Sequence, residues 1–168
     1  MKLPRVTLDE FLSFKPCWLD DERGLRRLEY YARKLGRSAD ALEILALRKI
    51  PAEDRLWAVL RAEFIPTSIL HEFACCCAED ALSRIDNPDP RSINAIAVKR
   101  RWIAGEATDE ELAAAWHAAC AAAETAWAAV RPARAAADVS WAARNAQVDM
   151  LTQMLREYVG AGEEMGKC

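Results

Sequence analysis

The segment between Ala104 and Ala146 contains 20 alanines and constrains the fold more than any other part of the chain. Alanine has the highest helix propensity, and its small side chain lets neighbouring helix axes approach closely. Pro132 interrupts the segment, because proline lacks the amide hydrogen that a helix interior requires. We therefore predict two long helices, the first spanning about 34 Å and the second ending near Val159, followed by a flexible tail over residues 161–168.

Capping boxes mark the starts of two helices, a short one and the first of the two long ones. Thr7 is followed three residues later by Glu10, and Thr108 is followed by Glu111 in the same way. In such a box the threonine side chain and the glutamate side chain each accept a hydrogen bond from an otherwise unpaired backbone amide. The spacing predicts a short helix after Thr7 and the first long alanine-rich helix after Thr108.

Other boundary signals lie between these two boxes. Residues 87–90 read Asn-Pro-Asp-Pro, which fits an aspartate N-cap followed by a proline at the first helical position. Gly36 fits a left-handed C-cap, Ser38 fits the N-cap of the next helix, and Pro51 fits the first turn of another. No stretch combines β-branched residues with strict alternation, so we predict no strand.

These patterns predict an all-α fold in a single domain over residues 1–160. We expect short N-terminal helices to pack on the two long alanine-rich helices as a bundle. Two helical clusters, residues 7–86 and 90–159, are joined in this prediction by a linker at 87–89. A chain of 168 residues is long enough to bury such a core without disulfides.

The six cysteines do not indicate a disulfide framework. Three of them, Cys75, Cys76 and Cys77, are consecutive within a helical pattern, where adjacent side chains diverge by about 100° and cannot pair. An angular projection centred on Leu70 predicts that Cys77 lies on the buried face and that Cys75 and Cys76 lie off it. We expect reduced thiols and a cytoplasmic location.

Charge and hydropathy argue against two classes of protein, general nucleic-acid binders and membrane-spanning proteins. A net charge of −3, with 29% charged residues, disfavours general electrostatic binding of nucleic acid. The longest apolar stretch, residues 113–130, is interrupted by His117 and Glu124, and no apolar run typical of a signal peptide occurs near residue 1. We therefore expect a protein that is not in the membrane; the oligomeric state stays open.

Three tryptophans punctuate the alanine-rich helices. Trp127 follows Trp116 by 11 residues and Trp141 follows Trp127 by 14, so on one continuous helix their directions would agree within about 40°. The favoured interpretation is a stripe of core residues. The alternative is an aromatic stripe that docks a protein partner, since tryptophan is enriched at binding hot spots.

Candidate catalytic and metal sites are sparse. His71 and Cys75 are four residues apart on one helix face, and Cys17 or Cys120 could complete a metal site with them, but no second His–Cys pair has suitable spacing. His117 with Cys120 is the only other thiol–imidazole pair in helical register. Because the chain also lacks a glycine-rich phosphate loop, we predict no catalytic residue, no metal and no cofactor.

Clusters of charge lie at predicted helix ends. The basic run at residues 99–101 suits a helix C-terminus, which favours cations. Glu53 and Asp54, like Asp109 and Glu110, suit helix starts. These four acidic residues, together with Trp116 and Trp127, are nevertheless our candidates for contacts with a basic protein partner.

Four segments of the chain resemble a known family. Residues 55–60, 73–79, 87–92 and 97–108 are similar to segments of the Imm5-like immunity proteins, which are small helical proteins of bacteria and their phages. The resemblance extends over residues 7–158. Its most specific parts are the Asn-Pro-Asp-Pro-Arg-Ser linker and the helix that ends in Trp-Ile-Ala-Gly-Glu.

The resemblance implies a non-enzymatic protein that binds and neutralises a bacterial toxin, here by steric occlusion. An alternative within the same class is a phage-encoded inhibitor of a host defence complex, such as an anti-CRISPR protein. A second alternative, from another class, is a metal- or thiol-dependent enzyme that uses His71 and Cys75.

Overall fold

The structure, a computed structural model, describes residues 1–16, 22–130 and 137–165, with side chains at 1–16, 22–123 and 142–161. Within these residues the fold is all-α, as predicted, apart from one small pair of strands. The elements in chain order are β1 (Val6–Thr7), α1 (Leu8–Ser13), α2 (Glu22–Lys34), β2 (Ser38–Ala39), α3 (Ala41–Leu45), α4 (Ala52–Val59), α5 (Thr67–Ser83), α6 (Pro90–Ile103), α7 (Asp109–Val130) and α8 (Ala137–Met165).

The predicted capping interactions are present at three helix starts. In the first box the Thr7 side chain accepts from the Glu10 amide, and Glu10 accepts from the Thr7 amide. The Thr108 box has the same reciprocal pair, with an amide-to-carboxylate distance of 2.9 Å. Asp89 caps α6 with Pro90 directly after it, and Gly36 has the left-handed φ of 70° that its C-cap position requires.

Three local expectations are wrong. The prediction of no strand fails because β1 and β2 pair antiparallel, with Val6 opposite Ala39, and strands of two residues are too short to show alternation. Ser38 belongs to β2, so Asp40 caps α3 instead and forms a capping box with Glu43. Pro51 is the N-cap of α4 rather than its first helical residue.

The described packing divides the chain into two compact units. Unit 1 comprises Met1–Thr67 and Arg144–Cys168, and unit 2 comprises Ser68–Ala143. The short helices α1–α4 therefore share a unit with most of α8 but not with α7. The 87–89 segment connects α5 and α6 inside unit 2, so it does not separate the two units.

The largest fully buried side chains belong to unit 1. They come from α4, from the segment that follows it and from α8: Val59, Phe64, Ile65, Leu151 and Leu155. In unit 2, α6 and α7 pack against each other, and the buried positions among the described side chains of α7, up to residue 123, are Ala115 and Ala122. Alanine thus occupies the buried face of the described part of α7.

The angular projection of α5 is wrong about the cysteines. Cys75 is buried with 3% of its surface exposed, whereas Cys77 is only half-buried. Ile69 and Phe73, on a different side of the helix from Cys75, are also buried. A projection that assumes one buried face fails because α5 is covered on more than one side.

The long helices partly follow their predicted bounds. α7 ends at Val130 and α8 begins at Ala137, as expected for two helices; Pro132 itself lies outside the described residues. α8 runs to Met165, so the predicted helix end near Val159 is wrong. The flexible tail over residues 161–168 stays a prediction. No described helix is both long enough and apolar enough to cross a membrane.

Candidate protein-binding surface

Trp116 lies in solvent rather than in a core. Its side chain is 65% exposed, so the interpretation of this tryptophan as part of a core stripe is wrong. The other two tryptophans of the predicted stripe, Trp127 and Trp141, lie outside the residues whose side chains are described. The alternative interpretation, a contact with a protein partner, therefore rests on Trp116.

The geometry of α7 explains this exposure. Ala115 and Ala122 are seven residues apart and face the interior of unit 2, which fixes the buried side of the helix. At about 100° per residue, Ala113 points in nearly the opposite direction, with Trp116 and His117 about 60° or less to either side of it. Because the alanines occupy the inward face of α7, the helical register places Trp116 on its outward face.

This outward face continues to the first turn of α7. Five exposed residues, which we call the α7 surface, lie within about 60° of one direction: Asp109, Glu110, Ala113, Trp116 and His117. An acidic turn thus adjoins a small alanine platform and a large aromatic ring. A surface of this kind offers apolar area and negative charge to the same partner.

The acidic residues of this turn have different roles. Asp109 accepts a hydrogen bond from the Trp102 indole Nε1 at 2.6 Å, so its carboxylate is held against α6. Glu111 closes the capping box of Thr108 and lies 3.5 Å from Arg101. Glu110 projects into solvent between them, and it is therefore the most available acidic contact of the α7 surface.

Trp102 was not among our candidate residues, although it orders the base of this surface. The Lys99 ammonium lies 3.7 Å from the centre of its ring, and the His71 ring packs against it at 5.1 Å between centroids. A tryptophan beside a basic run at a helix end is the signal that could have indicated this packing. With the bond to Asp109, these contacts fix the start of α7 relative to α5 and α6.

The basic run at residues 99–101 is used inside unit 2. Arg100 forms a bidentate pair with Glu79, at 2.8 Å for both contacts, and also binds Glu72. Arg101 donates to the backbone carbonyl of Glu106 at 3.1 Å. These contacts favour the interpretation of the run as a structural helix end rather than as an anchor for nucleic acid.

The other two acidic candidates lie in unit 1. Glu53 is exposed in the first turn of α4, and Asp54 is half-buried beside it. Burial, and secondarily the neighbouring Glu53 carboxylate, raise the pKa of Asp54. Asp54 lines a cavity of unit 1, so Glu53 is the more exposed carboxylate of this pair.

His71 and Cys75 have surroundings that favour packing roles. Burial raises the pKa of the Cys75 thiol, which reduces the fraction present as thiolate. Burial, and secondarily Lys99, lower the pKa of His71. Among the described residues, no group of three or more histidines, cysteines or carboxylates could hold a metal; Cys17, a possible further ligand, lies outside them.

His117 and Cys120 differ in exposure. His117 lies on the exposed side of α7, whereas Cys120 is half-buried. Both lie in the middle of a helix, away from a helix N-terminus that would lower the pKa of a thiol. Nothing in this placement activates the cysteine as a nucleophile.

Comparisons with models of protein families, with curated proteins and with solved structures give no match to this chain. The function must therefore be argued from the surfaces of the molecule and from the sequence resemblance.

Proposed function

We propose that this chain is a non-enzymatic inhibitor that binds another protein through the α7 surface, as an immunity protein binds a toxin. The observation that carries this proposal is the exposure of Trp116, 65% of whose surface lies in solvent on an alanine-rich helix. An exposed tryptophan is costly in solubility, and it is the side chain most enriched at the centres of protein interfaces.

The composition of the α7 surface indicates the kind of partner. Burial of an indole ring removes roughly 150–250 Å² of apolar surface from water, and Ala113 beside it allows close approach. Glu110 adds an exposed negative charge one turn from this platform. A partner with a basic rim around an apolar pocket complements both, and toxins that cleave nucleic acid have basic surfaces.

Steric occlusion is sufficient for inhibition of this kind. A rigid helix that covers the basic groove of a nuclease excludes its substrate without any chemical step. The contacts of Trp102 with Asp109, Lys99 and His71 support such a role, because they hold the first turn of α7 in place before binding. Preorganisation reduces the entropy that is lost on association.

The same surface suits a phage-encoded inhibitor of a host defence complex. Such complexes also expose basic channels for nucleic acid, so the chemistry of the α7 surface fits either partner. The position of the gene discriminates the two hypotheses: an immunity gene should lie directly beside a toxin gene, and an anti-defence gene should lie within a phage genome.

An enzyme that uses His71 and Cys75 has less support. The raised pKa of the buried Cys75 thiol opposes nucleophilic catalysis at neutral pH. Elemental analysis of the purified protein is the direct test of the metal variant of this hypothesis. One equivalent of metal per chain would support a metal-dependent enzyme.

The test of the proposal is a binding experiment with matched variants. Immobilised protein is used to capture partners from lysates of the bacterial host, with and without phage infection, and the captured protein is identified and purified. Its affinity is then measured by calorimetry for the wild type, for Trp116→Ala and for Tyr30→Ala. Tyr30 is 59% exposed in unit 1, which makes its truncation a matched control.

We expect Trp116→Ala to weaken the complex by about 30-fold or more, in the range of a hot-spot residue. Tyr30→Ala should change the affinity by less than about threefold, and neither variant should alter the unfolding midpoint appreciably. The partner's activity should be blocked by the wild type and released by Trp116→Ala. Equal affinity of all three proteins would contradict the proposed surface.

A further inference from the structure

The outward face of α2 carries an exposed tyrosine surrounded by cations. Tyr30 is 59% exposed. The positions three and four residues before and after it are all basic, namely Arg26, Arg27, Arg33 and Lys34. Residues at these spacings are neighbours on a helix surface, with about 5–6 Å between their Cβ atoms. We call these five residues the α2 surface; it belongs to unit 1, whereas the α7 surface belongs to unit 2.

The register of α2 places this surface in solvent. Ala32 is buried and therefore marks the inward side of the helix. At about 100° per residue, Tyr30 and Lys34 point within about 20° of the opposite direction. The three arginines lie on the two flanks of this direction, and all four cations are exposed.

The acidic residues of α2 lie on a different side of the helix. Glu22 and Glu29 point within about 80° of Ala32, so neither lies between Tyr30 and Lys34. The helix has five basic and two acidic residues. The net charge of −3 for the whole chain is therefore an average that conceals one basic helix face.

Two of the cations already interact with carboxylates of unit 1. Arg26 pairs with Glu22 at 2.6 Å, but both side chains are largely exposed. Such a pair contributes little to stability, so a phosphate can displace Glu22 from Arg26 at small cost. Arg27 interacts electrostatically with Asp54, and we therefore do not count it as an available charge.

The other two cations are more available. Arg33 donates its Nε to the backbone carbonyl of Glu29 at 3.4 Å, a contact that uses no carboxylate. In the part of the chain that the structure describes, no ion pair joins Arg33 or Lys34 to an acidic side chain. Their charges therefore remain available to an external anion.

The basic run of α6 shows the opposite behaviour. Arg100 is neutralised by Glu79 and Glu72, and Arg101 lies 3.5 Å from Glu111. Cations are favourable at any helix C-terminus, and this effect alone accounts for basic residues at both helix ends. It does not account for the exposed aromatic ring between the cations of α2.

Tyr30 offers a stacking platform among these cations. Its ring packs edge to face with Tyr31, at 5.1 Å between centroids, which orients the ring while most of the side chain stays in solvent. Proteins that bind single strands combine cations that follow the phosphates with aromatic rings on which bases stack. A lipid surface would require several outward apolar side chains, yet Leu28 and Leu35 lie on the inward side of the helix.

We propose that the α2 surface binds single-stranded nucleic acid, with a base stacked on Tyr30 and the adjoining phosphates at Arg26, Arg33 and Lys34. The strand must be unpaired, because the bases of a duplex are stacked on one another and do not present their faces. Three cations and one ring make a weak site that depends on salt. This binding goes beyond the proposed inhibition and does not use the α7 surface.

Fluorescence anisotropy of a labelled 12-residue thymidine oligonucleotide tests the proposal on the full chain. We expect saturable binding at about 50 mM salt, with a slope of log affinity against log salt of about −2, since each neutralised phosphate contributes about −0.7. An abasic oligomer with the same phosphates should bind at least about fivefold more weakly. The absence of saturable binding would overturn the proposal, and so would equal affinity for the abasic oligomer.

Tyrosine variants test the stacking contact. Tyr30→Ala should weaken oligonucleotide binding at least about fivefold, whereas Tyr30→Phe keeps the ring and should stay within about twofold of the wild type. Trp116→Ala is the matched control: it removes an aromatic ring that is 65% exposed beside an acidic turn, and it should leave oligonucleotide affinity unchanged. Equal losses in Tyr30→Ala and Trp116→Ala would contradict the assigned surface.

A charge variant tests the phosphate contacts. Lys34→Gln should weaken binding and reduce the magnitude of the salt slope by about 0.7. Arg84→Gln removes the same charge from unit 2, where Arg84 is paired with Asp80, and should leave the slope unchanged. Vesicles that contain phosphatidylserine test the other anionic partner. Binding of the wild type to these vesicles but not to the oligonucleotide would overturn the proposal in favour of a membrane surface.

Discussion

The two units of the molecule are stabilised in different ways. In unit 1 the interior is filled by large side chains such as Phe64, Leu151 and Leu155, and in unit 2 the buried positions on the described part of α7 are alanines. Alanine removes little apolar area from water, so close helix packing in unit 2 must be supplemented by other contacts. The Arg100 pairs with Glu72 and Glu79 supply such contacts between α5 and α6.

This difference has a functional meaning. Unit 1 combines a core of large side chains with a cavity of about 300 Å³ that is partly open to solvent. Unit 2 presents a long helix whose inward face is small and whose outward face carries Trp116, which suits the binding of a protein. The difference in stabilisation can be tested at single side chains of the two units.

Truncation of a core leucine should destabilise unit 1 most. Leu155 on α8 has no exposed surface, so Leu155→Ala should lower the free energy of unfolding by about 3 kcal/mol through lost burial and a new cavity. Val98→Ala in unit 2 should cost about half as much, since Val98 is smaller. Urea denaturation measures both, and Leu60→Ala, at a site that is 39% exposed, is the control. Equal losses of unfolding free energy in Leu155→Ala and Val98→Ala would contradict the difference between the units.

Removal of the buried arginine should have the next largest effect. Arg55→Met leaves the Leu45 and Ile50 carbonyls without their donor, which should lower the free energy of unfolding by about 2–3 kcal/mol. Arg48→Met, at an exposed position of the same unit, should change it by less than about 0.5 kcal/mol. Thermal or urea unfolding of the two variants provides the comparison. A small loss in Arg55→Met would show that water satisfies these carbonyls.

The ion pairs of unit 2 should contribute less and depend on salt. The Arg100 side chain is 37% exposed, so solvent screening limits the loss in Arg100→Met to about 0.5–1 kcal/mol. That loss should shrink in 1 M salt, where screening acts over about 3 Å. Arg84→Met removes a single helical pair with Asp80 and should have a still smaller effect. A loss that is insensitive to salt would indicate that Arg100 acts through packing instead.

The carboxylates of the two units should respond to acid with opposite signs. Hydrogen bonds from Arg91 lower the pKa of Asp89 to about 2, so its contribution to stability is present above the usual value of 3.8 and is lost as pH falls toward 2. Arg100 similarly lowers the pKa of Glu79. Burial raises the pKa of Asp54 in unit 1, so protonation of that group favours the folded state on acidification.

NMR titration of the side-chain carboxyl carbons measures these pKa values directly. We expect a midpoint near 2 for Asp89, one below 4.5 for Glu79, and one above 3.8 for Asp54. Arg91→Gln should bring the midpoint of Asp89 back toward its ordinary value. A midpoint for Asp54 below 3.8 would contradict its burial at the cavity.

Local signals predicted much of the fold. The capping boxes of Thr7 and Thr108 and the Asp89–Pro90 helix start were correct, because each depends on residues no more than three positions apart. The strand pair was not predictable in this way. Val6 and Ala39 are distant in sequence, and neither strand is long enough to show a periodic pattern.

Burial was harder to predict than helix position. The shared helical direction of the tryptophans suggested a core stripe, yet Trp116 is exposed, because the alanines at 115 and 122 define the inward face. Cys75 is buried because α5 is covered on more than one side, which its sequence alone does not reveal. α8 continues through Gly160 because two glycines lower helix propensity without removing a backbone hydrogen bond.

The packing of His71 against Trp102 also gives unit 2 an optical reporter. A protonated imidazole quenches indole fluorescence by accepting an electron from the excited ring, and the two ring centroids lie 5.1 Å apart. Burial and Lys99 lower the pKa of His71 from 6.5, so the midpoint of the quenching of Trp102 emission should lie below that pH. The emission lost in a Trp102→Phe variant isolates this signal from that of the other tryptophans. Fluorescence can then follow the environment of α6 while a partner binds to the neighbouring helix.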